Sequence, residues 1–443
     1  MPNTFLEGKI SDVIDSKDIS RVVSEWSGMP VPDEISQIAD DRTIVQNISF
    51  EGPFSNLNVS GDLRLDSGKL THNVMLSLFT PRGVVVNGAL EADSLDLGYV
   101  FPDKHFGQTD FKFKGEFESG YHTALDVEYL KVGRIGFNGY DYRNIYLTGT
   151  ASDTSCRVWL ASRDKCFKAE FQGDAYIRED NLAGHYSLSG EARYVDFKSL
   201  NLISGSDTSL LKDTRITAEL DFNGENNAVG KVKVSDAIYR NGRGELALDS
   251  LVVRSTYDNP RFEVQMKSPF ADFCYSGEDP LPVALARVKD IVLDRQYRNL
   301  QAGGKRPAVK VMRPGNDTAL LETHNLWKVL NVLSDGFYLA DGSNVRMTLS
   351  DKDSLNISMA SERIARKGSY LKKIKMALDN PDSTVRLNIH SAEFRSGGLC
   401  TGNNDLKILS SDGVVGLKLS FLDSARNVGR PMKLSSRISF SRD

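Results

Sequence analysis

The chain has 443 residues, 40% of them hydrophobic and 26% charged, with a formal net charge of -4 at neutral pH. That composition belongs to a folded chain and not to a disordered one, and it supplies no basic field to gather nucleic acid. No run of about 18 apolar residues occurs, so no helix is expected to cross a bilayer.

Residues 1–43 read as an irregular lead-in. Within them, Asp18–Trp26 has the spacing of a short helix capped by Ser16 or Asp18, with Ile19, Val22, Val23 and Trp26 on one side and Pro30 and Pro32 beyond it. The opening M-P-N-T-F-L-E-G-K-I lacks the basic, apolar and small-residue regions of a signal peptide. Residues 433–440 (K-L-S-S-R-I-S-F) still read as a strand in progress. Together these features lead us to expect an internal piece of a longer chain.

From Ile44 the hydrophobic period becomes two, and residues 44–277 are expected to form a first β unit. The clearest stretch is F-K-F-K-G-E-F-E at 111–118, in which Phe111, Phe113 and Phe117 share one parity and Lys112, Lys114, Glu116 and Glu118 the other. Successive side chains of a strand point to opposite faces, so this segment has one aromatic face and one charged face. A helix would distribute the charges around all sides. The same alternation places Leu63, Leu65, Leu76, Leu78, Val84, Val86 and Leu90 on apolar positions before it. After it come Leu125, Val127, Ile145, Leu147, Phe171, Tyr186, Leu188, Leu220, Phe222, Val232, Val234, Phe262 and Val264. Gly, Asn, Asp and Ser mark the joints every 8 to 15 residues or so, the signature of an antiparallel meander.

Residues 278–340 interrupt the pattern and are expected to form a helical connector. Val283–Tyr297 has apolar residues at 285, 288, 291 and 292, with Ala302-Gly303-Gly304 as its stop. A second helix is expected over His324–Leu333, with Leu326, Trp327, Leu330 and Leu333 on one face and Thr323 as N-cap. Both are expected to cover or cap a sheet. Strands resume over 341–443, the second β unit.

No nucleophile elbow, phosphate-binding glycine loop, H-E-x-x-H or EF-hand loop is present, so no enzymatic activity, cofactor or metal is expected. The six histidines (72, 105, 122, 185, 324 and 390) are isolated in sequence and read as surface or turn residues. Cys156, Cys166, Cys274 and Cys400 form no C-x-x-C pair; a Cys156–Cys166 bridge across one hairpin requires an oxidising compartment. The basic run Arg363, Arg366, Lys367, Lys372, Lys373 and Lys375 reads as a solvated turn and outer strand face. Periodicity alone leaves two readings of the apolar face: the closed core of β-sandwiches, or the open lining of a trough.

Several phrases resemble the periplasmic AsmA/TamB superfamily, in particular its Bacteroidetes-type TamB-like members. They are F-E-G-P-F-S-N-L-N-V-S-G-D-L (50–63), V-V-V-N-G-A-L-E-A-D-S-L-D-L-G-Y-V (84–100), F-G-Q-T-D-F-K-F-K-G-E-F (106–117) and Y-R-N-I-Y-L-T-G-T (142–150). H-Y-S-L-S-G-E-A-R-Y-V-D-F-K-S-L-N-L (185–202) and G-F-Y-L-A-D-G-S-N-V (336–345) belong to the same set. The resemblance implies an elongated, all-β sheet curled like a taco, whose apolar parity lines a groove for phospholipid. It also implies a periplasmic location, an inner-membrane anchor outside this stretch, and an outer-membrane partner of the BamA/TamA type. A scaffold that receives outer-membrane strands by edge pairing, and a surface- or carbohydrate-binding β-sandwich, are the alternatives.

Overall fold

The computed structural model describes residues 4–14, 44–53, 55–65, 68–100, 105–178, 183–203, 208–222, 228–294, 315–380, 384–411, 414–423 and 431–439. The helix expected over Asp18–Trp26, and the stop at 302–304, lie outside these residues. The chain is all-β: its strands form a long antiparallel sheet that does not close into a barrel. By contact density it divides into two units, Met1–Gly224 and Glu225–Asp443. The helical segment lies inside the second.

In the first unit the strands are β1 (Phe5–Ile14), β2 (Ile44–Pro53), β3 (Leu57–Leu65), β4 (Gly68–Thr80), β5 (Gly83–Asp96) and β6 (Phe106–Ser119), with one helical turn, α1 (Leu97–Val100), after β5. They continue as β7 (Thr123–Phe137), β8 (Tyr140–Ser152), β9 (Ser155–Arg163), β10 (Phe167–Ile177), β11 (Gly184–Asp196) and β12 (Ser209–Phe222). Each pairs antiparallel with the next in sequence. Phe5–Ile14 is therefore a strand, and the sheet begins ahead of Ile44. Bulges interrupt the ladders, for example between Ala92 and Leu95 and between Val127 and Leu130. Left-handed residues in the strands, such as Ser94 (φ 54°), Asn144 (φ 56°) and Asp213 (φ 51°), are of the short polar type that tolerates this conformation. Bulges increase local twist and bend the strand that carries them. Leu200 of the turn after β11 packs with Ala169, Ala192 and Val195 in a small core.

In the second unit β13 (Ala228–Asn241), β14 (Gly244–Asp258), β15 (Arg261–Lys267) and β16 (Ala271–Gly277) precede the helical segment. After it come β17 (Asp317–Thr323), β18 (Phe337–Leu339), β19 (Asn344–Leu349), β20 (Leu355–Arg366), β21 (Ser369–Asp379), β22 (Val385–Ser396), β23 (Leu399–Ser411), β24 (Val414–Asp423) and β25 (Met432–Ser439). Strand β16 pairs with β17 across the interruption, so the ladder passes over it without a break.

The first expected helix is α2 (Leu281–Lys289) followed by a π turn, Asp290–Asp294. Its buried side chains are Ala284, Arg287 and Ile291, whereas Leu285, expected on the packed face, is 53% exposed. Ile291 sits against Met347, Leu349 and Leu355, so the helix covers the sheet. Arg287 anchors it. Its Nη1 donates to Asp279 and to Asp317 (3.1 Å), and its Nη2 donates to the Ser350 carbonyl (2.8 Å) and Asp353 (3.2 Å). Burial pushes the Asp317 carboxyl above its usual range in spite of the guanidinium.

The second helix, α3, spans Leu326–Leu333. Its N-cap position is Asn325, without a side-chain cap, and the Thr323 hydroxyl instead donates to the Ala340 carbonyl at 3.1 Å. The expected Thr323 cap is not formed because that hydroxyl is buried in the loop that returns to β19. Asn241, at the tip of the β13–β14 hairpin, donates to the Val332 carbonyl (2.8 Å) and holds the C-terminal end of α3.

Candidate functional site

Paired residues of an antiparallel ladder share a face, so the register shows which side chains line up across a unit. In the first unit one row runs Gly8–Phe50–Val59–Val74–Gly88–Gly115–Val127–Gly149–Val158–Gly173–Leu188–Ala218. The next row is Ile10–Ile48–Gly61–His72–Leu90–Phe113–Leu130–Leu147–Leu160–Phe171–Gly190–Ile216. Every strand of the unit contributes to both rows, and neither contains a Lys, Arg, Asp or Glu.

At Gly8, Gly115 and Gly190 a neighbouring aromatic ring occupies the side-chain space. A Cβ on Gly190 would overlap the Glu170 carbonyl and the Phe171 ring, and one on Gly115 would lie 2.8 Å from Phe113 Cζ. The aromatic ring stands in for the missing side chain, and the face stays apolar.

The opposite face of the same strands is polar. Lys112 pairs with Glu91 (2.7 Å) and Lys114 with Glu128 (2.5 Å), each carboxylate holding its ammonium pKa above the usual lysine value. Arg157 pairs with Asp174 (2.6 Å) and Arg82 with Glu116 and Glu118. These exposed pairs contribute little stability, but they settle which face is wet.

Exposure distinguishes an open lining from a closed core. Of the positions singled out by alternation, Val127 is buried, while Phe117 (41%), Leu188 (41%) and Phe222 (36%) are exposed. Leu63, Leu65, Leu76, Leu78, Val84, Val86, Leu90, Phe111, Phe113, Leu125, Ile145, Leu147, Phe171, Tyr186, Leu220, Val232, Val234, Phe262 and Val264 are half-buried. A sandwich core would remove such side chains from water almost completely. Val85, on the other parity, is buried at 5% and marks one place where the polar face is itself covered.

In the second unit the corresponding row is Val232–Val253–Met266–Phe273–Leu321–Val345–Met359–Met376–Ile389–Leu406–Leu419–Leu434. Val264 belongs to the neighbouring row with Tyr275, Ala319, Met347 and Ile357. There α2 and the π turn cover Met347, Leu349 and Leu355.

The sequence missed His72. It is half-buried and not in a turn: it lies mid-strand on the apolar parity, between Gly61 and Leu90 in register. Its flanking Leu70 and Val74 were the available signal. His185 and His390 are exposed and paired with Asp221 and Asp405, each at 2.9 Å. All four cysteines are free, so no Cys156–Cys166 bridge is present. Lys367 and Lys372 of the basic run are paired with Asp335 and Glu393, and Arg363 lies over the Tyr338 and Tyr370 rings. Among the described residues no cluster of three or more His, Cys, Asp or Glu is placed to hold a metal, and no helix is long and apolar enough to cross a membrane. Comparison with family models, with curated proteins and with solved structures finds no match to this chain.

Proposed function

We propose that this protein is a non-enzymatic carrier in the cell envelope, whose uncharged face binds phospholipid acyl chains and conducts them between the inner and outer membranes. The observation that supports this reading is the pair of uncharged rows crossing every strand of the first unit, most of their side chains half-buried. Each CH₂ moved from water onto such a surface contributes about 0.8 kcal/mol, so a dozen carbons gain roughly 10 kcal/mol gross. Neighbouring positions along a row offer nearly equal surface, which suits a cargo that slides. On this reading the sheet curls into a trough, and the Lys112 to Glu118 polar parity forms its wet outer wall. Periplasmic location, an inner-membrane anchor and an outer-membrane partner of the BamA/TamA type accompany the proposal.

A second reading, strand addition by an outer-membrane polypeptide, is favoured by β25. Among the described residues it pairs only with β24, and Met432, Leu434 and Ile438 are 56%, 60% and 54% exposed.

Photo-crosslinking residues at Phe113 and Leu188 separate the two in intact cells. Capture of phospholipid is the expected outcome; capture of polypeptide alone at both sites overturns the carrier reading in favour of the scaffold. Phe113→Asp or Leu188→Asp is expected to abolish lipid capture while the protein stays folded. Outright unfolding by both would instead mark these positions as closed core.

A further inference from the structure

We propose that His72 is the polar docking point within the two uncharged rows of the first unit, and that its ring donates a hydrogen bond to the ester carbonyl at the head of an acyl chain. The inference rests on the acyl-carrier reading and adds a fixed position to it.

His72 is the only ionisable side chain in the two uncharged rows. It sits in the middle of β4, and its partner on one side is Gly61, which has no side chain to cover the ring. On the other side is Leu90. Around it on the same face are Leu70 and Val74 of its own strand, Val59 and Leu63 of β3, and Gly88 and Ala92 of β5. None of these can accept a hydrogen bond through its side chain. Asp62, the carboxylate whose charge acts on it, belongs to the other parity of β3 and is paired with Arg64 at 3.2 Å.

The ring's Nδ1 is buried without a hydrogen-bond partner, while the residue as a whole remains partly exposed. A protonated imidazole would leave a donor orphaned at Nδ1, the costlier outcome. Burial also pushes the ring's pKa below its ordinary value. The ring is therefore neutral, with Nδ1 bare and the hydrogen on Nε2. A neutral donor in apolar surroundings suits a neutral acceptor. A phosphate would have to lose its hydration without gaining a counter-charge, whereas an ester carbonyl entering with its tail would otherwise be left unpaired. A tail can slide along the rows, but its ester is held where this one donor lies.

The test uses the whole chain and two monomeric lysophosphatidylcholines of equal tail length, one ester-linked and one ether-linked, with binding measured by calorimetry. The headgroup is common to both, so any preference reports the linkage. The wild type is expected to prefer the ester form by about three- to ten-fold, the worth of one neutral hydrogen bond. His72→Leu is expected to erase that preference while still binding both lipids, and His72→Gln, which keeps a donor, to restore part of it. An ester preference that persists in His72→Leu overturns the assignment and leaves the carrier reading intact. Equal binding of both lipids by the wild type, lost in His72→Leu, overturns the carbonyl in favour of phosphate. Failure of the wild type to bind either lipid overturns the carrier reading together with this one.

Discussion

Two stretches of the same kind of strand end in opposite states of burial. In the first unit Phe117 and Leu188 remain 41% exposed on an uncharged face. In the second, Leu349 and Leu355, on strands that alternate just as regularly, are 2% and 0% exposed. The strands do not differ in pattern; they differ in what lies on them. α2 and its π turn cover the second, and Arg287, itself 3% exposed, holds that cover through Asp279, Asp317 and Asp353. Alternation sets which face is apolar, and a separate element decides whether the face is closed.

The comparison is easiest to break at Arg287. Arg287→Met leaves the Asp279 and Asp317 carboxylates buried without their cation, and is expected to cost about 3–5 kcal/mol. Urea denaturation reads the loss, and hydrogen exchange is expected to place it at α2, β17 and β19. The same substitution made on both sides then measures the cover directly. Leu355→Ala is expected to cost about 2–5 kcal/mol because it opens a cavity under Ile291. Leu188→Ala, on the open face, is expected to cost under about 1 kcal/mol. Equal losses at the two leucines would mean that the first unit is as closed as the second.

Gly190→Ala probes the open side in another way. Its new methyl group meets the Glu170 carbonyl and the Phe171 ring, and is expected to cost about 1–3 kcal/mol in thermal unfolding. The smallest expected effect is the pH dependence contributed by His72. Its folded pKa lies below the ordinary value near 6.5, so as pH falls the unfolded chain takes up the proton first. The stability linked to this group is complete above about pH 6.5 and declines below it, down to the folded pKa. His72→Leu is expected to flatten the unfolding midpoint across that window.

The strand pattern was legible because each face obeys a local rule, as F-K-F-K-G-E-F-E shows at 111–118. Register was not, since it depends on bulges such as the one between Val127 and Leu130, which leave no unambiguous local mark. β1 is hard to read in the sequence because Gly8 occupies an apolar-parity position whose space Phe50 fills from the neighbouring strand. In α2 the apolar spacing pointed to Leu285, while the structure turns Arg287 inward. Its partners come from positions 279, 317 and 353, and no helical periodicity can announce partners that distant. His72 is illegible for a different reason. A single imidazole between Leu70 and Val74 carries no motif, only an out-of-place polarity.

The rows of the first unit also have a length. Twelve strands, β1 to β12, spaced about 4.8 Å apart make each row roughly 50 Å along its contour. A tail that fills half a bilayer core reaches about 15 Å, or the width of some three strands. For an acyl cargo, one row is therefore long enough to hold several tails end to end. On the proposed acyl-carrier reading, such a length suits a queue, in which each arriving tail displaces the one ahead.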